Sequence, residues 1–363
     1  MALFPKVTEF KYFQWPSGAS QSVGVSEIQS TFVLPRQSRR LERITIHANV
    51  TIASPATVTS ATALENIFPK IELKVSDAAG SNRSVISTNS ATLIAKDLID
   101  TGLLDWKTRQ AWGQLGAGTF DLFINVDVRN LLISEAIGIR TCLPLSAPAL
   151  ADDVRLNLTL ANFADIGLAN TSTVTVNATN LIIAYREVPD TIGYVPSEFI
   201  TNSYAWGGGS GNLYYDFPQN GLLAAFMVEE FSSATARGTV LGGTGSGSGQ
   251  GHWKFRFGRS DREEWTTFSQ MAEGQRSYLE FPSDFFGVNS ILTKSNANFA
   301  WIKDFLHDTP LSEALSPASC YNLYATNAGD RAQLNCTNFA SGGITLISTR
   351  KFLTTNPQDL VGA

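Results

Sequence analysis

Residues 32–52 of the chain read FVLPRQSRRLERITIHANVTI, and this stretch decides the fold. From Ile44 to Ile52 apolar residues alternate with polar ones, which is the period of a β-strand with one buried face. Pro35 and the polar, basic residues 36–40 interrupt the apolar pattern and predict a turn. The stretch is therefore predicted to form a strand, a proline-marked turn and a longer strand.

The same order occurs in the second half of the chain. Residues 214–228 read YYDFPQNGLLAAFMV, in which Pro218 and residues 219–221 mark the turn. Each stretch lies near the start of a segment of about 150–160 residues, the size of one β-sandwich domain. The sequence thus predicts a duplicated all-β unit.

Further alternating segments follow in both halves. They are residues 71–75, 120–128, 154–160 and 174–183 in the first half, and 253–257, 299–305, 320–325, 332–338 and 344–349 in the second. Residues 90–100 and 265–272 have helical character, and each segment ends near a glycine. The matching order of strands, short helix and strands supports the duplication.

The composition favours burial and self-association over nucleic-acid binding. Hydrophobic residues make up 43% of the 363 residues and charged residues 16%, so much of the surface is expected to be uncharged and polar. Such a surface suits packing against copies of the same chain, although it is also common in extracellular β-proteins. The net charge of −5, without a basic tail, argues against direct, sequence-specific binding of nucleic acid.

No residue pattern predicts catalysis, a cofactor or a metal site. Nothing local to the histidines His47, His252 and His307 indicates a catalytic triad, and adjacent acidic residues on a strand point to opposite faces. The glycine-rich segments 207–211 and 242–251 lack the lysine and helix of a phosphate-binding loop and are expected to be flexible connections. The three cysteines are expected to be buried free thiols.

The N-terminal segment is unusually aromatic. It reads FPKVTEFKYFQW from Phe4 to Trp15, without the apolar core of a signal peptide, and no segment of the chain reaches the ~18 apolar residues of a membrane span. Aromatic residues with lysine suit an arm that docks on a neighbouring subunit or touches a membrane; the alternative is a strand covering the bottom of the first sandwich. The candidate contact residues are Phe4, Lys6, Phe10, Lys11, Tyr12, Phe13 and Trp15.

The layout resembles that of the double jelly-roll major capsid proteins of tailless icosahedral viruses, best known from tectivirus-like phages with an internal membrane. The resemblance rests on the opening strand pairs, residues 28–35 with 41–52 and 213–218 with 222–229. Later strands add to it: residues 140–145, 154–160 and 179–187, with counterparts at 311–317, 321–326 and 344–352. It covers about residues 27–352 and is one of pattern and order. The two halves share little sequence, so the duplication rests on layout.

This resemblance implies an all-β fold of two tandem eight-stranded antiparallel jelly-roll sandwiches, with a few short helices in loops. We expect an N-terminal arm at residues 1–26, the first jelly roll at 27–188, a linker at 189–204, the second jelly roll at 205–353 and a C-terminal tail at 354–363.

The resemblance also implies a structural, non-enzymatic function without cofactors. Three chains would form a pseudo-hexagonal homotrimer that tiles an icosahedral shell, over an internal viral membrane and beside penton and minor capsid proteins. The protein would be made in the host cytoplasm and located in the virion, with residues 242–251 as a candidate outer loop.

Two other classes stay open. A carbohydrate-binding tandem jelly roll, such as a lectin or spike domain, would stack exposed aromatics such as Trp206, Trp253 or Trp265 on sugars. A glycosidase on a β-sandwich would place acids such as Asp216 and Glu280 in a cleft. Secretion is expected of both classes.

Overall fold

The computed structural model divides the chain into two compact units, Met1–Ile200 (unit 1) and Thr201–Ala363 (unit 2). It describes residues 4–54, 64–76, 82–101, 105–111, 116–129, 135–146, 153–189, 191–205, 211–231, 252–258, 260–265, 300–304, 321–323, 331–339 and 344–354.

Unit 1 is built mainly of strands. They are β1 (Lys6–Tyr12), β2 (Gln21–Ser22), β3 (Ile28–Leu34), β4 (Arg40–Ser54), β5 (Lys70–Ser76), β6 (Asn82–Thr88), β7 (Gly118–Asp127), β8 (Leu143–Pro144), β9 (Asp153–Leu160) and β10 (Thr173–Arg186). The helices are α1 (Ser90–Thr101), α2 (Trp106–Ala111) and α3 (Glu135–Thr141), with a 3-10 turn at Leu64–Asn66. The chain leaves unit 1 within β11 (Ser197–Ala205).

Eight strands of unit 1 pair in a nested order. β1 pairs with β10, β3 with β9, β4 with β7 and β5 with β6, all antiparallel. Because β10 also pairs with β4 and β9 with β5, two sheets result, with the orders β1-β10-β4-β7 and β3-β9-β5-β6. Pairing of the first strand with the last, the second with the next to last and so on is the topology of a jelly roll.

The core of unit 1 lies between these sheets and is built by the alternation read from the sequence. From Ile44 to Ile52 of β4 the buried side chains are Ile44, Ile46, Ala48, Val50 and Ile52, and the polar side chains between them are partly exposed. Burying each large aliphatic side chain contributes about 1.5–3 kcal/mol. The predicted one-sided burial of β4 is confirmed.

The start of α1 follows from local capping. The Asn89 side-chain oxygen accepts a hydrogen bond from the Thr92 backbone N–H at 2.7 Å, which satisfies a donor that has no partner within the helix. The Ser90 hydroxyl accepts a hydrogen bond from the Phe68 N–H at 3.1 Å and fixes this end of the helix to the preceding segment. The helix predicted at residues 90–100 is confirmed.

Unit 2 repeats the nested order. Its strands are β12 (Gly211–Asp216), β13 (Leu222–Phe231), β14 (His252–Phe257), β15 (Ser260–Trp265), β16 (Ala300–Asp304), β17 (Tyr321–Asn322), β18 (Ala332–Phe339) and β19 (Ile344–Phe352). β12 pairs with β18, β13 with β16 and β14 with β15, and β19 lies next to β11. Further pairs, β13 with β19 and β14 with β18, complete the sheets, so the second half is also a jelly roll.

The described core of unit 2 contains a cluster of packed aromatic rings. Phe226 packs against Phe217 and Phe255, with ring centroids 5.5 Å and 5.1 Å apart. Residues 222–228 are all buried, so β13 is apolar on both faces and its sequence does not alternate. Of the helix predicted at 265–272, Trp265 ends strand β15 and the remaining residues lie outside the described part of the chain. Both glycine-rich segments also lie outside it, apart from Gly211.

One part of the sequence interpretation is wrong. The resemblance places residues 28–35 and 41–52 at the opening of the first jelly roll, but they form its second and third main strands, β3 and β4, which lie in different sheets. The first strand is β1, within the segment expected to be an arm, and β11 begins within the expected linker. The domain boundaries themselves stay a prediction.

Candidate assembly surface at the edge of unit 1

Strand β1 carries most of the candidate contact residues and forms the edge of its sheet. Among the described strands it pairs with β10 alone in the sheet order, from Lys6 opposite Arg186 to Tyr12 opposite Asn180. Its even-numbered side chains are exposed and its odd-numbered ones half-buried, as the period of a strand requires. Phe10 and Tyr12 thereby remain 73% and 78% exposed.

The basic residues of this strand have acidic partners within unit 1. Lys11 Nζ lies 3.5 Å from Glu9 Oε2, and Arg39 Nη1 lies 3.4 Å from Glu9 Oε1. Lys6 Nζ lies 3.9 Å from Oε1 of the buried Glu42. Each lysine of β1 therefore has an acidic partner in the same unit, but Glu9 is shared by Lys11 and Arg39.

Glu42 is the centre of this charge cluster. Burial raises the pKa of its carboxyl group, but a hydrogen bond from Arg186 and the charges of Arg186, Lys6 and Arg129 outweigh it, so the pKa lies below its usual value. Arg129 Nη1 is 3.4 Å from Glu42 Oε1. A buried carboxylate with several cationic partners holds β1, β4 and β10 together at this end of the sandwich.

Phe13 and Trp15 do not belong to the exposed surface. Both are buried, with Trp15 stacked on Phe68 at 6.0 Å between ring centroids and Phe13 packed edge-on against Trp15 at 4.9 Å. The Trp15 Nε1–H donates to Thr179 Oγ1 at 3.1 Å. These two side chains anchor the end of β1 to the core, so the structure does not offer them to a neighbour.

Phe4 is held in place through its backbone. Its side chain is half-buried, and its carbonyl oxygen accepts a hydrogen bond from Arg186 Nη1 at 3.0 Å. The seven candidate residues therefore fall into three groups. Phe10 and Tyr12 are exposed, and Lys6 and Lys11 form ion pairs. Phe4, Phe13 and Trp15 anchor the segment to unit 1.

Strand β3, the edge of the other sheet, contacts the segment that follows β1. The Ser30 hydroxyl donates to the backbone oxygen of Gln14 at 2.6 Å, which joins the segment after β1 to β3. Val33 on β3 is 55% exposed, and Val25 in the connecting segment is 69% exposed. We call β1, β3 and residues 13–27 between them the open flank. It contains every exposed large hydrophobic side chain found in the described part of unit 1: Phe10, Tyr12, Val25 and Val33.

The other edge of the β1 sheet is covered. Along β7 the Phe123 N–H donates to Thr108 Oγ1 of α2 at 2.8 Å, and the same hydroxyl donates to the Phe123 carbonyl at 3.4 Å. Lys107 Nζ of α2 lies 3.0 Å from Asp121 Oδ2, and Asn125 Nδ2 donates to Asp97 Oδ2 of α1 at 2.9 Å. Two helices thus protect β7, whereas no described element covers β1.

Unit 2 exposes an aromatic residue on the equivalent of β3. Tyr214 is 64% exposed on β12, the second strand of the second roll and an edge strand of the sheet β12-β18-β14-β15. The sequence interpretation does not single out these three residues as exposed. Val33 and Tyr214 lie in segments predicted to be strands, and Val25 lies outside the predicted strands.

The structure gives little support to the other candidate sites. His47 stacks on Phe123 at 4.4 Å, with its Nε2 2.8 Å from Asp121 Oδ1, in a ladder of polar side chains across the sheet. Asp216 is exposed and accepts a hydrogen bond from Gln333. Trp206, Glu280 and His307 lie outside the described residues, as do the side chains of Trp253, Trp265 and His252.

The described residues provide no metal-binding cluster, and the thiol of Cys142 is buried. Among them no group of three or more His, Cys, Asp or Glu could hold a metal ion, and no helix there is long and apolar enough to cross a membrane. Cys142 is a buried free thiol, as expected, and burial raises its pKa to about 12. An open cavity of about 480 Å³ is lined by residues 37–39 and 187–189, a lining that provides no aromatic ring for a sugar.

The chain is similar to known proteins in its fold but not in its sequence. No protein-family model and no curated protein sequence matches the chain. The major capsid protein of Sulfolobus turreted icosahedral virus matches 98% of this chain over 98% of its own length, with a TM-score of 0.63 and 10% identity. The chain has the double jelly-roll fold of viral major capsid proteins.

Two further structures agree. The PBCV-1 virus capsid matches with a TM-score of 0.58 and 12% identity, covering 97% of this chain and 94% of its own. The Faustovirus major capsid protein matches with a TM-score of 0.56 and 9% identity, covering 97% and 90%. Because both jelly rolls are included in each match, the predicted fold class is confirmed, while identities this low show the fold alone.

Proposed function

We propose that this chain is the major capsid protein of an icosahedral virus and that three copies form a pseudo-hexagonal homotrimer. The observation that carries the proposal is the nested strand order, which occurs twice in one chain. Three such chains provide six similar wedges around a three-fold axis, so a six-cornered building block needs only three copies. The three structural neighbours described above come from viral capsids, and they support the same function.

The nested order also suggests where each roll begins. We propose that the first roll starts at β1 and the second at β11, because each of these strands lies next to the last strand of its roll. The arm then consists of the residues before Lys6, and the linker of the residues between Arg186 and Ser197. For the C-terminal tail we retain residues 354–363, the range expected from the sequence.

The proposed function defines location and partners. The protein is placed in the virion, after synthesis in the host cytoplasm, in a shell that encloses an internal membrane and includes penton and minor capsid proteins. The low proportion of charged residues, 16%, supports contacts between copies, since few ions must be desolvated when such surfaces meet. The function is structural, without a catalytic step.

The oligomeric state tests this proposal directly. Light scattering of the purified chain after gel filtration is expected to give three times the chain mass of 39.3 kDa. Electron microscopy of concentrated protein or of particles is expected to show six-cornered blocks. A monomer that binds glycans on an array would instead support the carbohydrate-binding alternative and refute the capsid proposal.

A further inference from the structure

We infer that unit 1 contains a binding site for a small oxyanion of the phosphate type, formed by Arg83, Arg140 and Tyr194. The site shares no residue with the open flank, and it does not depend on the proposed function. It begins from two half-buried arginines that meet one short segment of backbone without a carboxylate beside them. We call these three residues, together with Arg40 and Gly193, the arginine cluster.

Three elements of unit 1 bring guanidinium groups to the arginine cluster. Arg83 lies on β6, Arg140 near the end of α3 and Arg40 at the start of β4. Arg83 Nη2 donates to the Tyr194 hydroxyl at 3.5 Å. Arg140 lies against the backbone of the preceding residue, since a Cβ added at Gly193 would be 3.0 Å from Arg140 Nη2. Arg40 Nη1 donates to the Gly193 carbonyl oxygen at 3.3 Å, so positive groups from distant parts of the chain converge there.

No nearby acid balances the charges of Arg83 and Arg140. Among the described residues no carboxylate forms an ion pair with either of them. The Tyr194 hydroxyl is not ionised at neutral pH, because burial raises its pKa, although the charges of Arg83 and Arg40 act in the opposite direction. Burial likewise raises the pKa of the neighbouring Cys142 thiol to about 12. The site formed by Arg83, Arg140 and Tyr194 is therefore positively charged at neutral pH.

The buried carboxylate of Glu42 does not supply the missing charge. Its oxygens are bound by Lys6 at 3.9 Å, by Arg129 at 3.4 Å and by Arg186. Because three cations already share this one carboxylate, it does not neutralise further arginines.

One nitrogen of the arginine cluster also lacks a hydrogen-bond acceptor. Arg140 Nη1 is buried and has no partner. Burial of a charged donor without an acceptor costs free energy, and the cost is larger than for a neutral group. An anionic acceptor bound beside Arg140 would satisfy this donor and balance the charge at the same time.

The donors of the site suit an oxyanion. A guanidinium group presents parallel N–H donors that match two oxygens of a phosphate or sulfate ion. The Tyr194 hydroxyl, which accepts a hydrogen bond from Arg83, keeps its own proton to donate. Phosphate on a lipid surface or a nucleic acid is bound by cations that extend into solvent. Because Arg83 and Arg140 are half-buried, a small free ion fits the site better.

Binding at this site would hold the chain between β10 and β11 onto unit 1. The Val195 N–H donates to the backbone oxygen of Arg140 at 2.9 Å, and Tyr194 directly precedes it. An ion held by Arg140 and Tyr194 therefore bridges the end of α3 and this connecting segment. Local opening of the segment must break the contacts with the ion, so a bound ion is expected to protect the Val195 amide from hydrogen exchange.

Calorimetric titration of the full chain with sodium phosphate tests the site. Sodium chloride keeps the ionic strength constant, and saturable binding of one phosphate ion per chain is expected. In the variant Arg83→Gln/Arg140→Gln the affinity should fall at least about tenfold, because charge-assisted hydrogen bonds are lost. Arg155→Gln, the same change at an exposed arginine of β9, is the matched control and should bind as the wild type does.

Hydrogen exchange locates the bound ion. The rate at the Val195 amide is compared with and without saturating phosphate within each protein, so differences in stability between the proteins do not enter. Phosphate should slow this exchange in the wild type and in Arg155→Gln, and leave it unchanged in the double variant. If the double variant is poorly folded, the wild type alone decides. Protection at Val195 supports the inference, and protection confined to other parts of the chain overturns it.

The other outcomes are also decisive. The inference is overturned if the wild type shows no saturable binding, or if a folded double variant binds phosphate as tightly as the wild type. Stabilisation that grows without saturation, and equally in all three proteins, is the general effect of an excluded salt and also overturns it. Flotation with phosphatidylglycerol vesicles tests a lipid source: vesicle binding that depends on Arg83 and Arg140, without binding of free phosphate, assigns the site to a membrane and overturns the inference. A monomeric wild type that binds phosphate here refutes the proposed function alone.

Discussion

Replacing Asp97 by asparagine is expected to strengthen the attachment of α1 at neutral pH. Asp97 is buried on α1, where its Oδ2 accepts a hydrogen bond from Asn125. Burial and the nearby charge of Asp127 raise its pKa from the ordinary 3.8 to about 6, although Asn125, Arg43 and Lys96 act in the opposite direction. The ionised form of Asp97 is therefore destabilised in the folded state.

The magnitude follows from the two pKa values. Their difference is about 2 pKa units, and at about 1.4 kcal/mol per unit it amounts to about 3 kcal/mol. The folded state retains its proton up to about pH 6, whereas the unfolded state loses it near 3.8, so the contribution of protonated Asp97 is complete below pH 3.8 and is lost as pH rises through 6. The amide of the Asp97→Asn variant cannot ionise, so the variant lacks this dependence.

Hydrogen exchange of the α1 amides measures the effect locally. The quantity is the ratio of the wild-type to the variant exchange rate, in which the intrinsic pH dependence of exchange cancels. We expect this ratio to increase by up to about a hundredfold between pH 4 and pH 7. Asp216→Asn, the same chemical change at an exposed carboxylate of unit 2, serves as the control and should leave the ratio constant. A ratio for Asp97→Asn that does not change with pH would refute the reasoning.

Two backbone features give further predictions. Gly221 has a φ of +89°, and an added Cβ would lie 2.4 Å from the Phe352 carbonyl oxygen. Gly221→Ala is therefore expected to destabilise unit 2 by more than about 1 kcal/mol and to lower its melting temperature. Gln219→Ala in the same turn is the control and should not have this effect. Asn89→Ala removes the cap on the Thr92 N–H and should cost about 1 kcal/mol in urea denaturation, whereas Asn89→Asp should retain most of the stability. Equal stability of the paired variants at either site would contradict these assignments.

A central strand such as β4 could be predicted from the sequence because its apolar residues alternate with polar ones. From Ile44 to Ile52, β4 buries its apolar face and leaves its polar face partly exposed, so hydrophobic burial alone dictates its pattern. β1 could not be predicted in this way, since its half-buried face consists of Val7, Glu9 and Lys11. These residues are accommodated by ion pairs such as that between Glu9 and Arg39, thirty positions apart, and no local pattern contains that contact.

The candidate surface was predictable in part. Strand alternation places Phe10 and Tyr12 on one face and Phe13 and Trp15 on the other, and this division is visible in the sequence once a strand is assumed. The sequence did not reveal which face is exposed, because neither is clearly apolar. The contact that decides it is the packing of Trp15 on Phe68 across the core.

The two edges of the β1 sheet are protected by different means. The segment between β6 and β7 provides α1 and α2, whose contacts with Asp121, Phe123 and Asn125 satisfy polar groups along β7. No described element covers β1, but Lys6, Glu9 and Lys11 lie along it, and charged side chains on an edge strand oppose uncontrolled pairing with another chain. The exposure of Phe10 and Tyr12 therefore does not by itself make β1 an edge that aggregates.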